Sequence, residues 1–229
     1  MMHGVFVSGT DTGIGKTRVS TLLLRAMRRS GIAAIGMKPV ASGCESTSSG
    51  LRNEDALALI EAAGVELRYE DVNPYAFRDP IAPHLAAADA DVVIDPQIIV
   101  EACERLRRDA EFVVVEGVGG WLAPLGGSLM QADLARALDL PVLLVVGLRL
   151  GCLNHALLTA RAIEADGCRL VGWIGNRIDA DMLRVEDNIE TLISRIQAPL
   201  LGIVEHEGSP HATNDINALD RAALVLLAE

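Results

Sequence analysis

Short, wholly apolar runs alternate along this chain with longer segments in which apolar residues recur at three- and four-residue spacing. The runs are Val5-Phe6-Val7, Ile32-Ala33-Ala34-Ile35-Gly36-Met37, Phe112-Val113-Val114-Val115, and the stretches 142–146, 170–174 and 200–204. A run with no polar alternation reads as a strand covered on both faces. Between them lie helical patterns. One carries Leu22, Leu23, Leu24 and Met27 and stops at Gly31; one starts at Asn53, carries Ala56, Leu57, Leu59 and Ile60, and stops at Gly64. Another covers 96–109 with Ile98, Ile99, Ala102, Cys103 and Leu106, and further helices are predicted over 129–138, 153–166, 181–196 and up to Leu227. Alternation of this kind predicts an α/β fold, a mostly parallel sheet with helices on both faces. The Ser-rich stretch 44–50 predicts a mobile loop, 69–95 an irregular surface segment, and 205–213 a polar loop. No repeat or linker breaks the alternation, so 1–229 is expected to form one domain.

The first run leads into Gly9-Thr10-Asp11-Thr12-Gly13-Ile14-Gly15-Lys16-Thr17 and then into the first helix. Strand, glycine loop and helix start are what a phosphate-binding loop requires. Glycines let backbone N–H groups turn toward an anion, and the helix N-terminus adds its positive end. Lys16 can reach the outer phosphates and the Thr17 hydroxyl can hold Mg²⁺. The loop is a variant: five residues separate Gly9 from Gly15, where the strict pattern has four. An ordinary glycine turn would give no reason for a Lys-Thr pair at the helix start. The run 112–115 ends in Glu116-Gly117-Val118-Gly119-Gly120. A carboxylate closing a buried strand needs a cation or hydrogen bonds to offset its burial, and the second nucleotide-site motif puts such an acid near Mg²⁺. The glycines beyond it allow a ligand close to the backbone. Asp55, in the first turn of its helix, has two readings: a complement to the helix dipole, or a further acid at the site.

Composition sharpens the picture at one point. Of the 20 basic residues only Lys16 and Lys38 are lysines. A chain this biased toward arginine keeps lysine where a compact ammonium does what a planar guanidinium cannot. Lys38 opens Lys38-Pro39-Val40-Ala41-Ser42-Gly43 beyond the second strand, and ligands gather at the carboxyl ends of parallel strands; a lone surface lysine is the bland alternative. A net charge of −11 argues against a nucleic-acid groove. The longest apolar run, 140–148, has about half the length of a membrane span, and no secretory pattern opens the chain. A cytoplasmic protein is expected. Cys44, Cys103, Cys152 and Cys168 form no C-x-x-C pair and read as reduced, mostly buried thiols.

Several stretches together resemble the dethiobiotin synthetase family: the glycine loop, 38–43, Asn73-Pro74-Tyr75, Pro83-His84, Glu116-Gly117 with Gly119-Gly120, Leu150-Gly151-Cys152-Leu153-Asn154-His155-Ala156, and Gly172-Trp173-Ile174 with Asn176. The likeness spans about 4–204. It implies a P-loop, ATP- and Mg²⁺-dependent cyclo-ligase of biotin biosynthesis that joins CO₂ to 7,8-diaminopelargonate and closes a cyclic urea, through a carbamate and a carbamic–phosphoric anhydride. On that resemblance Lys16, Lys38 and Thr12 are catalytic, and Thr17, Asp55 and Glu116 hold Mg²⁺. The nucleotide site takes in Gly13, Ile14, Gly15, Lys16, Thr17, Arg18, Asp55, Glu116, Gly117, Val118, Gly119, Asn176 and Arg177, with Asn176 at adenine. Thr12, Lys38 and Ser42 meet the carbamate or diamine. The family further implies a homodimer in which Gly151, Cys152, Leu153 and Asn154 hold the substrate carboxylate from the neighbouring subunit. Two departures stand out. Gly13 replaces an acidic residue of some members. Val204 replaces the usual proline, so the resemblance carries no secure adenine contact onto Glu205, His206 or Glu207.

The rival reading is a switch ATPase of the partitioning and cell-division-site type. Those proteins carry a further lysine five positions before the loop lysine, where this chain has Asp11. An amidating synthetase of cobyrinate chemistry would need a glutaminase domain, for which the chain is too short.

Overall fold

The computed structural model describes residues 4–206 and 219–228. Its centre is a six-stranded, wholly parallel sheet in the order β12-β11-β10-β1-β7-β2. These strands are β1 (Gly4–Gly9), β2 (Ala34–Met37), β7 (Phe112–Glu116), β10 (Val142–Leu148), β11 (Leu170–Arg177) and β12 (Leu200–Val204). Every residue of β1, β2, β7 and β10 is buried, as unbroken apolar runs require. Small pairs lie outside the sheet: β3 (Val40–Ala41) with β6 (Tyr75–Ala76), β4 (Glu45–Thr47) with β5 (Gly50–Arg52), and β8 (Pro124–Gly126) with β9 (Leu129–Met130).

Helices cover both faces. On one face α1 (Lys16–Arg29) packs Val19, Leu23 and Met27 against Val5, Val7 and Val114. The C-terminal helix, here α9 (Asp220–Ala228), adds Ala222 and Leu226. On the other face α5 (Pro96–Arg108), α6 (Gln131–Ala137), α7 (Cys152–Ala165) and α8 (Val185–Arg195) pack with Phe6, Val113, Val115 and Trp173. Phe6 and Trp121 meet edge to face at 6.5 Å. The helix α2 (Glu54–Ala63) closes the β2 edge, giving Leu59 to one core and Ala56 to the other. Pro96 opens α5 behind the cap of Asp95, whose carboxylate accepts from the Gln97 N–H, the placement in which a missing proline N–H removes no helical bond.

Periodicity found the large elements and missed the small ones. The second strand begins at Ala34 rather than at residue 32. The stretch 44–50 is no loop: it folds into the β4–β5 hairpin, closed where the Thr47 hydroxyl donates to the Gly50 carbonyl and accepts from the Ser49 N–H. Residues 69–95 are largely ordered as α3 (Tyr69–Val72), β6 and α4 (Pro83–Asp89), elements too short to show a repeat. The β8–β9 hairpin delays α6 to Gln131, and left-handed backbone at Arg184 delays α8 to Val185. The loop expected over 205–213 lies outside the described residues beyond His206. The four cysteines are free, three of them buried.

Gly36 marks the tightest approach of α1 and α2 to the sheet, since a Cβ there would stand 2.8 Å from Leu59 Cβ and 3.0 Å from Leu24 Cδ1. Gly36→Ala is therefore expected to destabilise the chain by about 1–3 kcal/mol through overpacking, read as a lower urea midpoint with an unchanged slope.

Candidate active site

Strand order decides what meets at the carboxyl edge. The chain runs from β1 through α1 to β2, leaving a gap that β7 later fills, and then builds β10, β11 and β12 on the far side of β1. The ends of β1, β7 and β2 thus lie side by side next to the point where the order reverses, the place ligands occupy in open α/β sheets. From these ends come the glycine loop, Glu116 and Lys38. They line a cavity of about 400 Å³ with Thr12, Gly13, Gly15, Thr17, Ser42, Asp55, Val118 and Gly119. Ala41, Asn53 and Glu54 complete the wall.

The glycine loop is held open for an anion. Gly15 has φ 83° and no side chain caps the start of α1, so the first N–H groups of the helix remain for a ligand. A Cβ on Gly15 would stand 2.1 Å from Asn176 Nδ2; only glycine fits both the backbone and the space. Asn176, at the end of β11, is buried and donates through Nδ2 to the Ile14 carbonyl at 2.8 Å, while its Oδ1 is buried with no protein partner. The Ile14 side chain is core. Lys16 Nζ donates to the Asp11 carbonyl (2.9 Å) and the Gly119 carbonyl (2.6 Å), spanning the mouth of the loop. Burial first, and then the nearby Lys38 ammonium, lower its pKa to about 8.

Charge is concentrated at the floor. Glu116 is fully buried, and Lys38, 4% exposed, donates from Nζ to Glu116 Oε1 (2.6 Å) and Asp55 Oδ2 (2.7 Å). Thr17 Oγ lies 2.7 Å from Asp55 Oδ1 and 2.8 Å from Glu116 Oε1, with one proton for the two contacts. Burial would lower the pKa of Lys38, but the Glu116 and Asp55 carboxylates outweigh it and raise the value. Burial likewise pushes the Asp55 carboxyl up, and the Lys38 ammonium more than reverses this. Glu116 Oε2 is buried with no partner. That orphan oxygen, the Asp55 carboxylate and the Thr17 hydroxyl are hard donors suited to Mg²⁺, which takes one or two carboxylates and fills its octahedron with water and phosphate oxygen. Among the described residues no group of three or more His, Cys, Asp or Glu gathers for a metal held by protein alone.

The other expected residues divide. Gly117 is not on the cavity wall: its N–H donates to the Val7 carbonyl (3.0 Å), and a Cβ there would strike Gln131 at 2.6 Å. Gly117 permits the close packing of the end of β7 on Gln131 of α6. Arg18, on the first turn of α1, and Arg177, on the last residue of β11 and paired with Glu186 and Glu205, lie outside the wall. Gly151, Cys152, Leu153 and Asn154 open α7 with Gly151 at φ 96° and no side-chain cap, and none of them is on the cavity wall. Asn53, where the sequence starts this helix, caps α2 by accepting from Asp55 N–H and Ala56 N–H; its place on the cavity wall has no signal in the sequence. Sequence reasoning missed the exposed pair of Arg149 with Asp11 at 2.7 Å.

A β-strand, an anion-ready glycine loop, a helix-start Lys-Thr pair and a strand-end carboxylate on a parallel sheet define a P-loop nucleotide-binding protein. The AAA domain family model matches residues 3–212. The chain is 59% identical to the ATP-dependent dethiobiotin synthetase BioD of Xanthomonas oryzae pv. oryzae (strain PXO99A) over 86% of its own length and 88% of the relative's. With the enzyme of the same name from Aromatoleum aromaticum identity is 55%, covering 88% and 89%. The chain belongs to the ATP-dependent dethiobiotin synthetase family. Among solved structures, the Aquifex aeolicus MinC:MinD cell division protein complex matches with a TM-score of 0.62 at 17% identity, covering 99% of this chain and 96% of that one. MinD from Pyrococcus furiosus gives 0.59 at 17% over 100% and 99%. At that identity the likeness is one of fold.

The buried Lys16 ammonium has a measurable consequence. Its proton is lost above about pH 8 in the ligand-free protein, whereas an unfolded lysine keeps it to higher pH. Stability contributed at this site therefore rises with pH between the folded and unfolded values. A polyphosphate in the loop restores the charged form, so binding tripolyphosphate at about pH 9 takes up a proton. Calorimetry in two buffers of unlike ionisation enthalpy reads this uptake, and Lys16→Met abolishes it.

Proposed function

We propose that this chain converts 7,8-diaminopelargonate, CO₂ and ATP to dethiobiotin, ADP and phosphate. The observation that carries the reading is the meeting of Lys16 and Lys38, from the ends of different buried strands, over one cavity with Thr17, Asp55 and Glu116 at its floor. A nucleotide switch of the rival type takes its further lysine from within the glycine loop and gives no reason for Lys38, a buried ammonium brought in from the end of a second strand. No lysine stands where the rival reading needs one, and Asp11 there is engaged with Arg149.

The residues suit each step. One amine of the diamine takes up CO₂ as a carbamate and releases a proton. Thr12 and Ser42, both on the cavity wall, orient it by hydrogen bonds. The carbamate oxygen attacks the γ-phosphorus, the bond to ADP breaks, and two like-charged groups must approach. Lys16 leaves its carbonyl tether to neutralise the outer phosphates, and Lys38 neutralises the carbamate and the migrating phosphoryl group. The second amine then attacks the carbonyl of the anhydride and gives up a proton, the C–O bond to phosphate breaks, inorganic phosphate leaves, and the urea ring closes. Thr17, Asp55 and Glu116 would hold Mg²⁺, whose charge offsets that of the phosphates. Asn176, with Oδ1 unpartnered, suits an adenine amino group.

The assignment extends to the assembly. The start of α7 offers uncapped N–H groups for a carboxylate, and beside it Leu150 is 91% exposed and Leu158 57%, apolar surface that a second copy would cover. We therefore take the enzyme to be a homodimer in which this helix start serves the neighbouring site. No helix among the described residues is long and apolar enough to cross a membrane, and the free thiols suit a reducing, cytoplasmic setting. The whole of 1–229 is taken as one domain.

Phosphate release from ATP is expected to require both the diamine and bicarbonate; release unchanged by omitting either would defeat the proposal. Lys38→Met is expected to lower kcat by about 10²–10³ while calorimetry still detects ATP binding, and a near-normal rate in that variant would remove Lys38 from the chemistry.

A further inference from the structure

Asn73-Pro74-Tyr75 has no part in the chemistry above, yet Asn73 is buried and fully engaged. Its Nδ2 donates to the Lys38 carbonyl at 2.7 Å and to the Tyr75 carbonyl at 3.2 Å. Its Oδ1 accepts from the Tyr69 hydroxyl at 2.9 Å, and that hydroxyl accepts from the Asn53 N–H at 2.7 Å. Asn53 Oδ1 then accepts from the Asp55 N–H at 3.1 Å, and the Asp55 carboxylate accepts from Lys38 Nζ at 2.7 Å. The contacts form a closed circuit that leaves Lys38 through its backbone and returns to its ammonium. The Arg52 guanidinium stands 4.0 Å over the Tyr69 ring and covers one side.

We propose that Tyr69 and Asn73 are positioning residues for the phosphoryl-transfer site, fixing the end of β2 that carries Lys38 against the start of α2 that carries Asp55. The proposal rests on the roles given to Lys38 and Asp55 above. The chain between those two residues includes the exposed β4–β5 hairpin, a connection too open to set their separation. The cross-links are made instead by the buried side chains of α3 and the residue that follows it. The Tyr69 hydroxyl has a single proton, directed at Asn73, so its lone pairs face the Asn53 N–H; the circuit has one direction and no slack. Removing the hydroxyl strands a buried N–H and a buried amide oxygen, and α2 shifts to satisfy them, carrying Asp55 away from Thr17 and Lys38.

The test uses the full-length protein with Tyr69→Phe, which keeps the ring on Arg52, and independently Asn73→Ala. Mn²⁺ binding in the presence of ADP, followed by electron paramagnetic resonance, needs no turnover. Each variant is expected to weaken it about tenfold and to lower kcat by a similar factor, the size seen when partners behind metal ligands are lost, with the KM for the diamine nearly unchanged. In an Asp55→Asn background, Tyr69→Phe should change Mn²⁺ affinity no further, because the effect runs through Asp55. A folded variant with a lower urea midpoint but unaltered Mn²⁺ affinity and kcat would overturn the proposal, as would a full, additive effect in the Asp55→Asn background. Failure of the wild-type chain to consume the diamine would defeat the reading of the reaction instead, and the Mn²⁺ titration would still decide the positioning role.

Discussion

Glu116 lies at the end of a strand with neighbours on both sides and helices above and below, so its carboxylate has no water to solvate it. A charge in that position is tolerable only when paired and hydrogen-bonded. Lys38 supplies the pairing from β2 and Thr17 a hydrogen bond from α1. The two flanking elements are therefore bound to the central acid by the electrostatics of the site's own side chains. One oxygen of Glu116 stays unmatched, and one lysine carries two carboxylates. The floor is satisfied well enough to fold and left short of donors toward the cavity, which is the condition for taking in a cation and an anion together.

Much of this was legible from residues alone because the signals were local. An acid directly after four buried apolar residues announces Glu116, and the scarcity of lysine singles out Lys38 without any knowledge of the fold. The Lys-Thr pair at a helix start locates the loop. Asp55 was ambiguous for a physical reason: an acid in a first helical turn suits the dipole whether or not it also meets a metal. Its place at the site is marked by Lys38, which also meets Glu116 only because β7 enters beside β2, and strand order has no signature in the hydrophobic pattern.

The remaining differences have a common cause. Periodicity detects elements long enough to repeat, and β4, β5, α3 and β6 span two to four residues each. Asn73 was noticed as part of a family motif without a role, because its principal partner is the backbone oxygen of Lys38 and carbonyls are the same at every position. A glycine after a strand-end acid permits close approach, and at Gly117 the neighbour in the structure is Gln131 of α6, a long-range contact that no local pattern announces. The residues that open α7 are not on the cavity wall, and a single chain's hydrophobic pattern says nothing of what a second copy would bring.

Burial of both lysines leaves the exterior without a single ε-amine, since every other side-chain cation in the chain except histidine is a guanidinium. Acyl phosphates acylate amines readily and guanidinium groups hardly at all. A coat of guanidinium groups would thus be inert toward the acyl phosphate that the proposed reaction forms. Among side chains, the cavity lysines are the only ε-amines a reagent could reach, so an amine-directed label that enters the site would mark it against a coat of guanidinium groups.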